Sequence, residues 1–242
     1  EMNLTVAARK VRELLARAQT RQLSYSQFLL DLLGEESQGR YERKLARGLK
    51  LSRLGNVKSL EEFDFSVRNK LSAAVVKELL TCQWIEEGRS IICIGRSGTG
   101  KSHIAKALGY SACMKGLSVY YGSVAGILDD LHASLADHTY SRLFRHYSRI
   151  DLLIAEDISY PGLDQSRADY LFRLVCSRHP ARSMIVTANT GFENWGQFFP
   201  NQAQGIATVD RLIDRATILR FTGKSFRKPH EIYGDSLEED GK

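Results

Sequence analysis

The sequence has 242 residues, of which 43% are hydrophobic and 26% charged, and these values suit one α/β domain with a small appendage. No apolar run approaches the ~18 residues of a membrane span, and the first segment is charged throughout, so we expect neither a transmembrane helix nor a signal peptide. The four cysteines have no paired CxxC spacing, which argues against a disulfide framework or a structural zinc site. We therefore expect a cytoplasmic protein with reduced thiols and no membrane partner.

The net charge of +6 is concentrated at one end of the chain. Residues 1–60 hold 12 Lys and Arg against 6 Asp and Glu, whereas the remaining residues hold 22 of each sign. Such asymmetry suggests an acidic partner, and DNA is the one we favour. A solvated helical face on a basic protein would give the same counts.

Apolar residues with helical spacing predict two helices between residues 4 and 33. The second begins at the Ser-x-x-Gln capping box of residues 24–27 and is expected to end at Gly34. A third helix is predicted over 35–53, with an apolar face that would dock on the rest of the protein. The opposite face would present cations to the phosphates of DNA, and these are Arg40, Arg43, Lys44, Arg47 and Lys50.

From about residue 70, predicted helices alternate with short apolar runs that are typical of buried strands, which favours a parallel sheet covered on both faces. A helix over Leu71–Trp84 is expected before the first strand, and a short helix over about 208–215 before the last. The predicted organisation has four parts: a small all-α basic domain (1–58), a linker (59–69), an α/β core (70–228) and an acidic, disordered tail (229–242).

The stretch "GRSGTGKS" fits the phosphate-loop pattern G-x-x-x-x-G-K-[ST] and stands between a predicted strand and a predicted helix, which is the context the motif requires. Its glycines permit positive φ angles and close backbone approach, so that N–H groups and the helix N-terminus can surround phosphates. Lys101 is expected to reach the β- and γ-phosphates, and the Ser102 hydroxyl to bind Mg²⁺. The predicted nucleotide-binding residues are Gly95, Arg96, Ser97, Gly98, Thr99, Gly100, Lys101 and Ser102.

Two adjacent acids, Glu156 and Asp157, follow the predicted strand 151–155, at the end of a parallel sheet where ligands bind. Two assignments compete. In the first, which we favour, Glu156 takes the metal position and Asp157 orients the attacking water. In the second, Asp157 reaches the magnesium, Glu156 points away, and the water-activating group must come from elsewhere.

Two further residues fit phosphoryl transfer. Asn189 ends the predicted strand "SMIVTAN" and is a candidate for holding the attacking water, although it would also suit a polar loop. Arg211 and Arg215 are expected four apart on one helical face, and Arg211 is the candidate for an arginine finger that enters a neighbouring subunit's site. The alternative for Arg211 is an ordinary salt bridge to Asp210 or Asp214.

The phosphate loop alone is compatible with kinases, GTPases and motor ATPases. The guanine-reading pattern NKxD is absent. The ordered set "GRSGTGKSH", "DLLIAEDISY", "TANTGFENWGQFF" and "VDRLIDRATILRFTGKSFR" resembles the IstB-like AAA+ ATPases, and the resemblance covers about residues 4–228. The helicase loaders of the DnaC type and the initiator DnaA are relatives with the same core.

This resemblance implies a P-loop AAA+ core, ATP-dependent assembly of an oligomer on duplex DNA, and delivery of target DNA to a partner transposase. By motif position, residues 95–102 would bind ATP, Glu156 and Asp157 would form the second acidic motif, Asn189 would be the sensor and Arg211 the finger. The sequence departs from the family in two places: Glu precedes Asp in the acidic pair, and Ala188 replaces the serine before Asn189. The first departure affects metal geometry and turnover, whereas ATP binding depends on the phosphate loop.

Three hypotheses follow from these residues. The favoured one is a DNA-remodelling ATPase that assists transposition. A replicative helicase loader and a nucleotide-dependent switch that scarcely hydrolyses are the alternatives. A basic helical domain suits both the first hypothesis and the helicase loader, and the full-length resemblance favours the first.

Overall fold

The computed structural model describes residues 4–57, 60, 72–159 and 163–222. The expected linker at 59–69 lies outside the described residues except for Leu60, and the expected acidic tail lies outside them entirely. Within the described ranges, no helix combines the length and the apolar character that crossing a bilayer requires.

The N-terminal region is a pair of helices, α1 (Thr5–Arg21) and α2 (Tyr25–Leu51). The Ser24 side chain caps α2 as expected, accepting a hydrogen bond from the backbone N–H of Gln27 at 3.2 Å. The prediction that Gly34 separates two helices is wrong, because α2 continues through it. A glycine inside a helix costs only about 1 kcal/mol, and packing of α2 along its length on α1 and on the core outweighs that cost.

The carboxylate of Glu36 on α2 caps the N-terminus of α1, which has no capping side chain of its own. Its Oε2 accepts from the backbone N–H groups of Val6 at 2.7 Å and Ala7 at 3.0 Å. Its Oε1 accepts from Arg40 at 3.1 Å and Arg43 at 3.2 Å. This buried carboxylate therefore fixes the two helices to each other and uses two of the cations that the sequence suggested for DNA.

We expect Glu36→Gln to loosen the α1–α2 pair, because the neutral amide replaces a charged acceptor of four hydrogen bonds. The backbone N–H of Ala7, aided by Arg40, lowers the pKa of Glu36 from 4.5 to about 2. The stabilisation is therefore complete above about pH 4.5 and is lost as the pH falls towards 2. The protection factors of the Val6 and Ala7 amides, which are exchange rates corrected for the intrinsic effect of pH, should fall across this window in the wild type but stay low throughout in the variant. Equal exchange in both proteins would contradict the capping role.

The core contains a five-stranded, fully parallel sheet with the order β2-β3-β4-β1-β5. One apolar cluster covers one face with the fully buried Trp195, and a second covers the other face with the fully buried Trp84. The expected parallel sheet between helices is confirmed. The strands are β1 (Ser90–Gly95), β2 (Val119–Ser123), β3 (Leu152–Glu156), β4 (Ser183–Ala188) and β5 (Ala216–Phe221).

The helices of the core differ from the predicted ones in two places. The helix expected over Leu71–Trp84 is divided at Cys82, whose φ of +61° is incompatible with a continuous helix. The short helix expected at 208–215 begins earlier and ends at Ile213. The core helices are α3 (Ala73–Leu79), α4 (Gln83–Glu86), α5 (Lys101–Met114), α6 (Val124–Ala133), α7 (Tyr140–Arg149), α8 (Gln165–Arg178) and α9 (Gln202–Ile213), with a 3-10 helix at Phe192–Phe198.

Helix α2 docks on the core along the face that the sequence predicted. The Tyr41 hydroxyl donates to the carbonyl of Met114 at 2.9 Å, and Leu49 packs against the apolar cluster around Trp84. Just beyond α2, the Ser52 carbonyl accepts from the backbone N–H of Tyr121 at 2.7 Å. The end of α2 is thus attached directly to β2, the edge strand beside β3.

Candidate functional site

The phosphate loop runs from the end of β1 to the start of α5. Gly98 and Gly100 have φ angles of +76° and +91°, in the left-handed region where only glycine is free of strain. A Cβ at Gly95 would lie 2.2 Å from the carbonyl oxygen of Phe221 on the neighbouring strand. The loop is closed internally by Thr99, whose hydroxyl donates to the carbonyl of Arg96 at 2.7 Å. The φ angles and the close contact at Gly95 explain why the loop has glycine at these three positions.

Lys101 stands at the first turn of α5 and is 7% exposed. Its Nζ donates to the carbonyl oxygens of Gly95 at 2.6 Å and Arg96 at 2.9 Å. It also donates to Oδ1 of Asn189, at the end of β4, at 2.8 Å. The ammonium group is therefore held where the ends of β1 and β4 meet the loop.

Glu156, the last residue of β3, turns its carboxylate towards the phosphate loop. The Ser102 hydroxyl donates to Oε1, and the Tyr121 hydroxyl from the neighbouring strand β2 donates to Oε2. Burial and the Glu156 carboxylate both raise the pKa of Tyr121 above its ordinary value of 10, so Tyr121 stays protonated and acts as the donor. The structure thus brings together the two residues predicted to bind magnesium.

Asp157 turns in a different direction from Glu156. Its φ is +56°, and its backbone N–H donates to the Thr187 hydroxyl of β4 at 2.9 Å. Both carboxylate oxygens accept from Nδ2 of Asn189 at 3.2 Å. The two neighbouring acids therefore have separate partners, Ser102 for Glu156 and Asn189 for Asp157.

These side chains line one open cleft of about 280 Å³ at the carboxyl ends of β1, β3 and β4. Its polar wall offers hydroxyl and carboxylate oxygens beside one buried ammonium group. No group of three or more His, Cys, Asp or Glu side chains that could hold a metal occurs in the described ranges. The lining residues are Ser97, Gly98, Gly100, Lys101, Ser102, Glu156, Asp157, Thr187 and Asn189.

Arg211 does not line this cleft. It lies exposed on α9, with its guanidinium 5.5 Å from the ring centre of Phe172 and one N–H donated to the carbonyl of Ala207 at 3.0 Å. The prediction that Arg215 shares its helical face is wrong, because α9 ends at Ile213 and Arg215 has a φ of +56°. Asp214 pairs with His179 at 2.7 Å, so it is not the partner of Arg211.

The five cations predicted to contact DNA divide into two groups. Arg40 and Arg43 bind the buried Glu36. The other three are exposed and form no ion pair among the described residues: Lys44, Arg47 and Lys50. Of these, Lys44 lies at the margin of the core, since its Nζ would be 3.5 Å from a Cβ at Gly116.

Two site residues, Tyr121 and Thr187, did not emerge from the sequence. Tyr121 lies in an ordinary strand pattern, and only the pairing of β2 with β3 places its hydroxyl beside Glu156. Thr187 stands two residues before Asn189, so it shares a strand face with it, and this spacing was the available signal.

The parallel sheet, the phosphate loop after β1 and the acids at the end of β3 define a P-loop nucleotide-binding protein with an AAA+ fold. The family described as IstB-like ATP binding protein matches residues 1–233. This chain belongs to that family, as the ordered motifs predicted.

Relatives with assigned names match this chain over most of their length. A protein of Pseudomonas aeruginosa named for ATP binding in insertion sequence IS21 is 33% identical over 217 residues, which are 90% of this chain and 82% of the relative. A protein of Geobacillus stearothermophilus, named for ATP binding in insertion sequence IS5376, is 28% identical over 239 residues, which are 99% of this chain and 95% of the relative.

Solved structures show the same fold at lower identity. DnaA from Aquifex aeolicus, bound to AMPPCP, aligns with a TM-score of 0.59 and 21% identity, covering 70% of this chain and 51% of DnaA. The DnaC helicase loader aligns with a TM-score of 0.54 and 15% identity, covering 73% of this chain and 99% of DnaC. At these identities, the similarity to both proteins shows a shared fold and no more.

Proposed function

We propose that this protein is a Mg²⁺-dependent ATPase that oligomerises on duplex target DNA, remodels it and assists a transposase in DNA transposition. The observation that carries the proposal is the pairing of Glu156 with Ser102, and of Asp157 with Asn189, around Lys101 in one cleft. The names of the relatives refer to insertion sequences, which supports transposition over helicase loading as the setting.

Each residue of the cleft has a proposed task in hydrolysis. The loop N–H groups and Lys101 hold the phosphates, and Lys101 neutralises charge on the β- and γ-phosphates. Asp157 orients and deprotonates the attacking water, while Asn189 fixes both that water and the Asp157 carboxylate. Arg211 acts in the cleft of a neighbouring subunit, since it lies outside its own.

The donor set of the cleft fits Mg²⁺. The Ser102 hydroxyl and the Glu156 carboxylate lie in contact and offer hard oxygen ligands, which this ion prefers. Since the described residues offer no larger ligand group, phosphate oxygens and water would complete the coordination. When bound, the ion neutralises phosphate charge.

The DNA surface is proposed to include the exposed cations in the C-terminal part of α2. Lys44, Arg47 and Lys50 would contact phosphates, with little base specificity. Arg40 and Arg43 would contribute less, because both already bind Glu36. Reversing the charges of Lys44, Arg47 and Lys50 should therefore weaken duplex binding and flatten its salt dependence. Unchanged affinity in that variant, measured by fluorescence anisotropy, would refute this assignment.

The proposed function is tested by measuring ATP hydrolysis and duplex-DNA binding on the same preparation, with Lys101→Ala as the control. The wild type should hydrolyse ATP with Mg²⁺ and bind duplex DNA with a steep negative dependence of log affinity on log salt. Lys101→Ala should lose most ATP binding and the ATP-dependent part of assembly. Absence of duplex binding in every nucleotide state would overturn the proposed function.

A further inference from the structure

The exposed face of α7 carries arginines and no acid. Its sequence is YSRLFRHYSR, in which Arg142, Arg145 and Arg149 lie within about 60° of one another on the helix. Tyr147 packs into the core on the opposite side and is 1% exposed, so the arginine face points outward. All three arginines are exposed, and none forms an ion pair with another described residue.

This face stands out against the rest of the ATPase core. Acids and bases balance after residue 60, and surface helices usually intersperse the two signs. The neighbouring helix α6 contains Asp129 and Asp130, but Asp129 binds Arg167 at 2.7 Å and Asp130 accepts from the Tyr147 hydroxyl at 3.1 Å. The pKa of Asp137 is lowered mainly by hydrogen bonds from Thr139 to its carboxylate, and to a smaller extent by the charge of Arg142.

A chain of contacts joins the arginine face of α7 to the basic end of α2. Arg53, just after α2, lies with its guanidinium 5.1 Å from the ring centre of Tyr120 and donates to its hydroxyl at 2.8 Å. The Tyr147 hydroxyl of α7 is 3.1 Å from that of Tyr120. Arg53 also lowers the pKa of His146 on α7, after burial as the main cause. Arg53 also pairs with Asp130 of α6 at 3.7 Å, so the two basic surfaces are joined through a residue whose charge is partly balanced.

We propose that Arg142, Arg145 and Arg149 form a second phosphate-binding surface, on the ATPase core, that continues the basic side of α2 along duplex DNA. From Arg142 to Arg149 the helix rises about 10 Å, which corresponds to about three phosphates of one strand along the duplex axis. Guanidinium groups bind phosphate oxygens bidentately, which suits arginine better than lysine. This inference rests on the proposed function, since it assigns part of the DNA contact to the core.

The test compares two variants of the full-length protein that lose the same number of positive charges. The first is Arg142→Gln, Arg145→Gln, Arg149→Gln on α7. The matched control is Arg9→Gln, Arg12→Gln, Arg17→Gln, which removes three exposed cations from α1. Anisotropy of a labelled random-sequence duplex with ATP, across salt concentrations, gives affinity and salt slope for each protein. ATP hydrolysis without DNA should be unchanged in the α7 variant, because its arginines lie outside the cleft.

The α7 variant should bind the duplex at least tenfold more weakly than the control at about 0.1 M salt, with a salt slope smaller in magnitude by about 2 to 3. An unchanged slope in the α7 variant, or an equal loss in the control, would overturn the inference while leaving the proposed function in place. If the wild type itself failed to bind the duplex, that result would overturn the proposed function, and with it this inference.

Discussion

Asp157→Asn is expected to stop ATP hydrolysis while leaving ATP binding and assembly on DNA largely intact. The Asp157 carboxylate accepts from Asn189 and has no contact with Ser102, so its loss should affect the attacking water more than the metal. A positioned general base contributes about 10² to 10⁴ in rate, and the turnover number should fall by an amount in this range. Phosphate release under single-turnover conditions, beside equilibrium binding of a fluorescent ATP analogue, separates the two effects.

Glu156→Gln should behave differently from Asp157→Asn. The Glu156 carboxylate contacts the Ser102 hydroxyl and is fixed by Tyr121, so the neutral amide should weaken Mg²⁺-dependent binding as well as turnover. Binding of the ATP analogue should therefore lose most of its Mg²⁺ dependence in this variant. Tyr121→Phe retains the carboxylate but removes one of its donors, and it should raise the Mg²⁺ concentration for half-maximal binding by a smaller factor.

The comparison of the two acid variants decides between the two assignments that the sequence left open. If Asp157→Asn lost the Mg²⁺ dependence of binding and Glu156→Gln lost hydrolysis alone, Asp157 would be the metal acid. The contacts of Glu156 with Ser102 would then have no role in binding the metal, and the residue that activates water would be a different one.

Arg211→Ala is expected to lower DNA-stimulated hydrolysis by as much as about 10³-fold without weakening ATP binding. Arg211 is exposed on α9 and absent from its own cleft, so its contribution requires a second subunit. Arg215→Ala is the matched control, because it removes the same charge from a residue that lies beyond the end of α9. Hydrolysis in this control should stay within about twofold of the wild type, which is equivalent to about 0.4 kcal/mol in activation free energy.

Mixing two inactive variants tests whether Arg211 acts between subunits. Arg211→Ala subunits keep an intact cleft, and Asp157→Asn subunits supply the arginine, so their mixture should regain part of the activity that neither has alone. Light scattering should show an oligomer with ATP and DNA. A persistent monomer, or no recovery at any mixing ratio, would exclude a finger supplied by Arg211.

Much of the α/β core could be predicted from local sequence. The phosphate loop is a contiguous stretch of sequence. Its glycines predicted positive φ angles, and Gly98 and Gly100 have them. The apolar run before Glu156 predicted a buried strand that ends at the cleft, and β3 ends there. Helix boundaries were less predictable, because Gly34 costs only about 1 kcal/mol and contacts with α1 and the core decide whether the helix continues.

The sequence by itself determined the family, the parallel α/β core and the identity of the nucleotide loop, since these depend on short-range spacing and on residues adjacent in the chain. Only the tertiary structure decided which hydrogen-bond partners Glu156 and Asp157 each have. Those partners lie on other strands, and the order of strands in the sheet determines which of them are neighbours. The pairing of β2 with β3 brings Tyr121 to Glu156, and Thr187 and Asn189 of the β4 end turn Asp157 the other way. Packing of distant segments likewise joins α2 to α7 through Arg53, a contact that no periodicity in the chain encodes.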